Sequence, residues 1–207
     1  MAVNLNNTLG YYSAISVGVT TLIFAISILL ANSWVSYFIC MLLSWSYVLL
    51  SCSFYTKTNS DRKSVSLGGV AFAIIYTTII SVVYFTQIST VANNAASESA
   101  LRVLSYSNIG SLFFNLELFG YGMMSLSTFL IGIVMIPNNK TDKWLRALLV
   151  IHGIFLLCIA LPILNVFKDS SESSTMIRSL ISLFWCIYFI PVAILSAKHF
   201  QRELKES

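Results

Sequence analysis

Long apolar stretches alternate with short polar ones along the whole chain. Six stretches reach the roughly 20 residues that a helix needs to cross about 30 Å of hydrocarbon: 11–31, 34–55, 68–89, 108–136, 146–167 and 179–198. The first two lie in an N-terminal region with no charged side chain and are joined by Asn32-Ser33, with Trp34 at the boundary. The fourth is the longest and is stopped by Pro137-Asn138-Asn139; its excess length permits tilt. Arg146 and Lys168 bracket the fifth, Arg178 and Lys198 the sixth. The pattern therefore predicts an all-α, polytopic transmembrane bundle of six helices, with 1–207 forming one integral membrane domain. In the loop 90–107, Glu98 and Arg102 stand at i,i+4 in the favourable order, with Leu101 and Leu104 on another face. That spacing suits a short interfacial helix; an unstructured polar loop is the alternative.

Composition narrows the class further. Hydrophobic residues make up 57% of the chain and charged residues 10%, against about 45–50% and about 25% in soluble domains. So few charges cannot cover a water-facing surface, which excludes a soluble enzyme, a nucleic-acid binder and a disordered chain. The net charge of +4 has its source in the loops. Lys57, Arg62 and Lys63, then Lys140, Lys143 and Arg146, then Lys198, Arg202 and Lys205 alternate with loops holding Arg102, Lys168 and Arg178. Loops rich in Lys and Arg stay in the cytoplasm, so both termini are expected there, in a cell (cytoplasmic) membrane. Aromatic residues fit: Tyr11, Tyr12, Tyr55 and Trp144 fall at the inner boundary, Trp34, Tyr37, Tyr84 and Tyr106 near the outer one. No basic run suits a nucleic acid. The segment before Tyr11 lacks the basic region of a cleaved signal peptide, and the sequons at Asn6 and Asn139 fall on the expected cytoplasmic side. Cys40, Cys52, Cys158 and Cys186 all lie in apolar runs and read as small buried hydrophobes, with no metal site.

Small residues mark where helices meet, because lipid gives no hydrophobic drive for association. Gly69, Ala73, Thr77 and Ser81 recur every four residues in the third span, Ser36, Cys40 and Ser44 in the second, Ala14 and Gly18 in the first. These read as contact faces. A polar channel wall of Thr77, Thr78, Ser81, Tyr84 and Gln87 is the other reading. Pro162 and Pro191 each free a carbonyl one turn earlier, at Cys158 and Ile187, and so bend or kink their spans.

Two side chains are costly where they stand. Glu117 lies about nine residues into the fourth span, about 13 Å at 1.5 Å per residue, where an acidic group costs roughly 2.5–3.5 kcal/mol. Gly110, Phe114, Tyr121, Ser125, Thr128 and Gly132 share its helix face, which should turn inward. Tyr121 can donate to the carboxylate, and Asn115 is close around the helix. No basic residue is expected at similar depth, and an unpaired buried carboxyl favours its neutral form. It reads either as a protonatable or cation-binding group in a cavity, or as a hydrogen-bonded tie to the hydroxyls of the third span. His152, about 9 Å in from the cytoplasmic end, reads as a helix-to-helix hydrogen bonder or as part of a proton path. His199 falls at the inner interface and reads as solvated. HExxH, G-x-S-x-G, a P-loop and paired membrane aspartates are all missing, so an enzyme is disfavoured and no cofactor is expected.

Ile80-Ser-Val-Val-Tyr-Phe-Thr-Gln-Ile and Leu116-Glu-Leu-Phe-Gly-Tyr-Gly resemble stretches of small six-span bacterial membrane proteins without an established activity. The resemblance implies a bacterial cytoplasmic-membrane protein and groups Tyr84, Gln87, Glu117 and Tyr121. The candidate ligand-binding set is then Glu117, Tyr121, Tyr84, Gln87, Ser81 and Asn115, in a pocket in the outer half of the bilayer. The expected role is binding or translocation of a small solute, a cation or an amphiphile. The other class is a non-catalytic interaction, sensor or assembly protein whose polar stripe only packs. Partners beyond the lipid bilayer and a small-molecule ligand are a second copy or another membrane protein.

Overall fold

A computed structural model describes residues 5–164, 166 and 172–206, with side chains characterised to 164, at 166 and over 176–205. The elements are α1 (Leu5–Leu29), α2 (Ser33–Thr56), α3 (Lys63–Thr86), α4 (Glu98–Leu104), α5 (Leu112–Val134), α6 (Lys140–His152), α7 (Ala160–Ile163) and α8 (Glu172–Glu206). A 3₁₀ turn, Ser60–Arg62, precedes α3, a π-turn, Gln87–Val91, extends it, and a 3₁₀ stretch, Gly153–Ile159, joins α6 to α7. Among the described residues, six helical stretches are long and apolar enough to cross a membrane. They coincide with the six expected segments.

The boundaries differ where local chemistry outweighs hydropathy. The fourth span begins at Leu112 and not at 108, because Gly110 adopts a left-handed φ of +79° and Ser111 caps the helix by accepting from Phe114 N at 3.1 Å. The polar loop before it does form a helix: Ser97 caps α4, and Arg102 donates to Glu98 at 2.7 Å on its exposed face. In the fifth span, a 3₁₀ stretch takes over seven residues before the helix that contains Pro162. Asn32 ends the first tight turn by capping α2 through Val35 N at 3.1 Å.

The helices form a closed up-and-down ring. α1 packs on α2 and α8, α2 on α3, α3 on α5, α5 on α6, and α6 on α8. The start of α1 and the end of α8 lie at one end of the ring, where Asn7 donates to Glu203 O at 3.1 Å; α4 lies at the other. The stripe on α3 is a packing face divided between two neighbours. Gly69 lets α5 approach until Ser127 donates to its carbonyl at 2.6 Å, while Thr77 donates to Ser44 O at 2.9 Å and Ser81 accepts from Trp45 Nε1 at 2.9 Å on α2. On α1, Thr20 and Thr21 donate to their own helix, and Ser16 and Ser27 bond Ser46 and Ser36 of α2, each at 2.7 Å.

At mid-height the ring is filled. Tyr47 meets Tyr76 edge-on at 5.7 Å between ring centres and donates to Ser127 at 2.8 Å, while Trp185 stacks on Phe189 at 4.9 Å. At the terminus end, the carboxylate of Asp142, fully buried, accepts from Arg202 at 2.8 Å, His199 at 3.0 Å and Asn139 at 3.2 Å. This joins the start of α6 to the last turns of α8. His199 is therefore buried and paired, where the sequence places it in solvent. A long-range tie is needed there because a buried carboxylate without donors would be strongly destabilising.

Candidate functional site

Above the aromatic layer, toward the α4 end, the ring encloses a cavity of about 380 Å³. All six spans contribute: α1 and α2 by their last and first turns, α3 by Tyr84, α5 by Phe114, Glu117, Tyr121 and Ser125, the fifth span by Phe155, Cys158 and Leu161, and α8 by residues between Arg178 and Trp185. Glu117 faces this space and is 6% exposed. It is the sixth residue of α5, about 8 Å below the helix start, shallower than a start at 108 would put it.

The carboxyl has a dedicated partner. Tyr84 on α3 donates to Glu117 Oε1, and Tyr106, beyond α4, lines the same cavity with its ring edge-on to that of Tyr84 at 6.3 Å between centres. Tyr84 and Tyr121 hydroxyls stand 3.5 Å apart, and Tyr121 points on to Cys40 Sγ at 3.8 Å. Tyr37 stacks on Tyr84 at 5.3 Å and meets Tyr106 edge-on at 5.9 Å. A carboxyl in hydrocarbon needs such donors, since nothing else offsets the loss of water.

A cation shares the cavity. Arg178 lines it, with its guanidinium 5.8 Å from the Tyr106 ring centre and 5.7 Å from that of Phe114, within range of a cation–π contact. The sequence expects no basic residue at Glu117's depth; the fold brings Arg178 into the lining of the same cavity. α8 begins at Glu172, seven residues before the expected start of the sixth span, so Arg178 sits about 9 Å down the helix. Both residues thus line the cavity at the α4 end. Face counting could have found it: Arg178, Ser182 and Trp185 stand at i, i+4 and i+7, one helix face.

The other members of the sequence-derived set serve elsewhere. Gln87 is buried, but its amide is used by the loop: Oε1 accepts from Tyr106 N at 2.9 Å and Nε2 donates to Leu104 O at 2.8 Å. It therefore positions Tyr106 without facing the cavity. Ser81 bonds Trp45, and Asn115 reaches back to Gly110 O at 3.4 Å; neither lines the cavity. His152 is fully buried beneath the floor: Nε2 accepts from Trp185 Nε1 at 3.0 Å, so Nδ1 carries the proton and donates to Thr128 Oγ1 at 2.7 Å. It ties α5, α6 and α8 together, with no chain of hydroxyls leading from it to Glu117 among the described residues. Tyr37, Tyr106 and Trp185 complete the walls; the first two read as boundary aromatics from sequence, because only the fold turns them inward. Among the described residues, no three His, Cys, Asp or Glu side chains come together as a metal site.

No protein-family model, curated protein or solved structure matches this chain.

Proposed function

We propose that this chain is an integral membrane protein that binds a small solute in the cavity centred on Glu117, near the α4 end. The observation that carries this reading is the inward carboxyl of Glu117 and the guanidinium of Arg178 lining one cavity of about 380 Å³, the size of ordinary small-molecule sites. Polar groups at such depth are costly and mark function by default. The filled layer of Tyr47, Tyr76, Trp185 and Phe189 supports a one-ended binding site over an open channel. Nine of the twelve Lys and Arg residues fall at the terminus end or beyond it in the loops there, which supports cytoplasmic termini and a cavity opening on the far side. The resemblance noted above supports a bacterial cytoplasmic membrane.

Glu117→Gln tests the reading, because it keeps the size and one acceptor but removes the charge. Native mass spectrometry of the purified protein should show a retained small-molecule adduct in the wild type that Glu117→Gln loses while its melting temperature stays within a few degrees. An unchanged adduct pattern would refute the pocket. A second reading is favoured by the bond from Tyr84: the carboxyl is a structural tie in an interaction or assembly protein. It expects the opposite result, poorer folding with the adduct unaltered.

A further inference from the structure

The cavity has a polar pole and an apolar side, and the apolar side faces a weak place in the ring. α8 runs along α1 and along α6, but the Gly153–Ile163 stretch above α6 packs on α5 instead. Phe155 closes the lower end of this seam, its ring 6.4 Å from Phe184 and 5.7 Å from Tyr188. Above Phe155, Cys158 and Leu161 on one bank and Ile181 and Arg178 on the other all line the cavity. Their outer neighbours Leu157, Leu180 and Phe184 are exposed on the surface that lipid covers. The seam is thus the loosest join in the ring, with the Glu117 carboxyl and the Arg178 guanidinium on its cavity side.

We propose, resting on the pocket reading above, that the occupant is a zwitterionic phospholipid of the aminoalkyl-phosphate type that enters sideways through this seam. Its ammonium group goes to Glu117 and the tyrosine hydroxyls beside it. Its phosphate goes to Arg178, whose planar guanidinium matches a phosphate's oxygens, with Ser179 and Ser182 on the same bank. The acyl chains leave between Leu161 and Ile181 into the bilayer. A charged solute taken from water would need no apolar seam. A purely anionic lipid would leave Glu117 facing like charge, and a purely cationic one would leave Arg178 so.

Delipidated full-length protein in dodecyl maltoside is titrated with dioleoyl phosphatidylethanolamine, dioleoyl phosphatidylglycerol and chain-free glycerophosphoethanolamine, binding being read by native mass spectrometry. The ethanolamine lipid should bind about tenfold more tightly than the glycerol lipid and far more tightly than the chain-free headgroup. Glu117→Gln should erase the preference between the two lipids, and Arg178→Gln should weaken both about tenfold. Leu161→Trp, which touches neither charge, should narrow the seam and weaken only the two-chain lipids. Equal binding of both lipids by wild type would overturn the zwitterion. Chain-free headgroup binding as tight as the lipid's, and insensitive to Leu161→Trp, would overturn sideways access and leave the pocket standing. No effect of either charge variant on any probe would overturn the pocket itself.

Discussion

Glu117 and its tyrosines show how a bilayer protein keeps an acidic side chain in place. The carboxyl can stay inside because α3 brings the Tyr84 hydroxyl to it, and a membrane hydrogen bond of this kind contributes about 1 kcal/mol. Tyr84→Phe should therefore lower stability by about that amount, a drop in melting temperature of about 2–4 °C for a chain of this size. Tyr121→Phe, whose hydroxyl makes only contacts of 3.5 and 3.8 Å, should cost less than half as much. Thermal denaturation of both variants in one detergent checks the order; equal losses would mean that the Tyr84 bond carries no special weight. Glu117 and Tyr121 were legible from the sequence because one helix's periodicity places them on one face. Arg178 was not read so: face counting puts it with Ser182 and Trp185, but it stands before the apolar stretch, where hydropathy does not extend a helix.

Between elements, glycine decides how closely two helices come. A methyl group at Gly132 would stand 2.9 Å from Val150 N and from Leu149 Cβ of α6, so backbone must move to admit it. At Gly68 the nearest atom is a Leu130 methyl at 3.4 Å, an ordinary contact. Gly132→Ala should destabilise by about 1–3 kcal/mol, whereas Gly68→Ala should be neutral or gain up to about 1 kcal/mol from helix propensity. Denaturation of the two alanine variants side by side measures the contrast. The α4 loop depends on a different device, the amide of Gln87. Gln87→Leu removes the bonds to Leu104 O and Tyr106 N, so hydrogen exchange should quicken over 98–106 and leave α5 unchanged. Unaltered exchange there would show that the loop holds without it. The small-residue stripes were readable as contact faces, but not which neighbour each residue serves: Gly69 and Thr77 share a stripe and pack on different helices.

For the whole molecule, the ring order brings the two chain ends together and gathers Lys57, Lys63, Lys140, Lys143 and Arg202 at that end. If that end is cytoplasmic, a cysteine at Ser97 should react with a membrane-impermeant maleimide in intact cells. A cysteine at Ser60 should react only after permeabilisation. The reverse pattern would invert the orientation and put the cavity on the cytoplasmic side. Closure of the ring through α1 and α8, and the looser seam beside Gly153–Ile163, belong to this scale alone.

The number of helices long and apolar enough to cross a membrane, their approximate limits and the end that carries most of the positive charge follow from the sequence by itself, because insertion into hydrocarbon is decided segment by segment through hydropathy and charge. Which of the polar side chains share a cavity was decided only by the tertiary structure. Helix starts set by Gly110, Ser111 and the early residues of α8 fix the depths of Glu117 and Arg178, and ring closure then determines that the two face the same space.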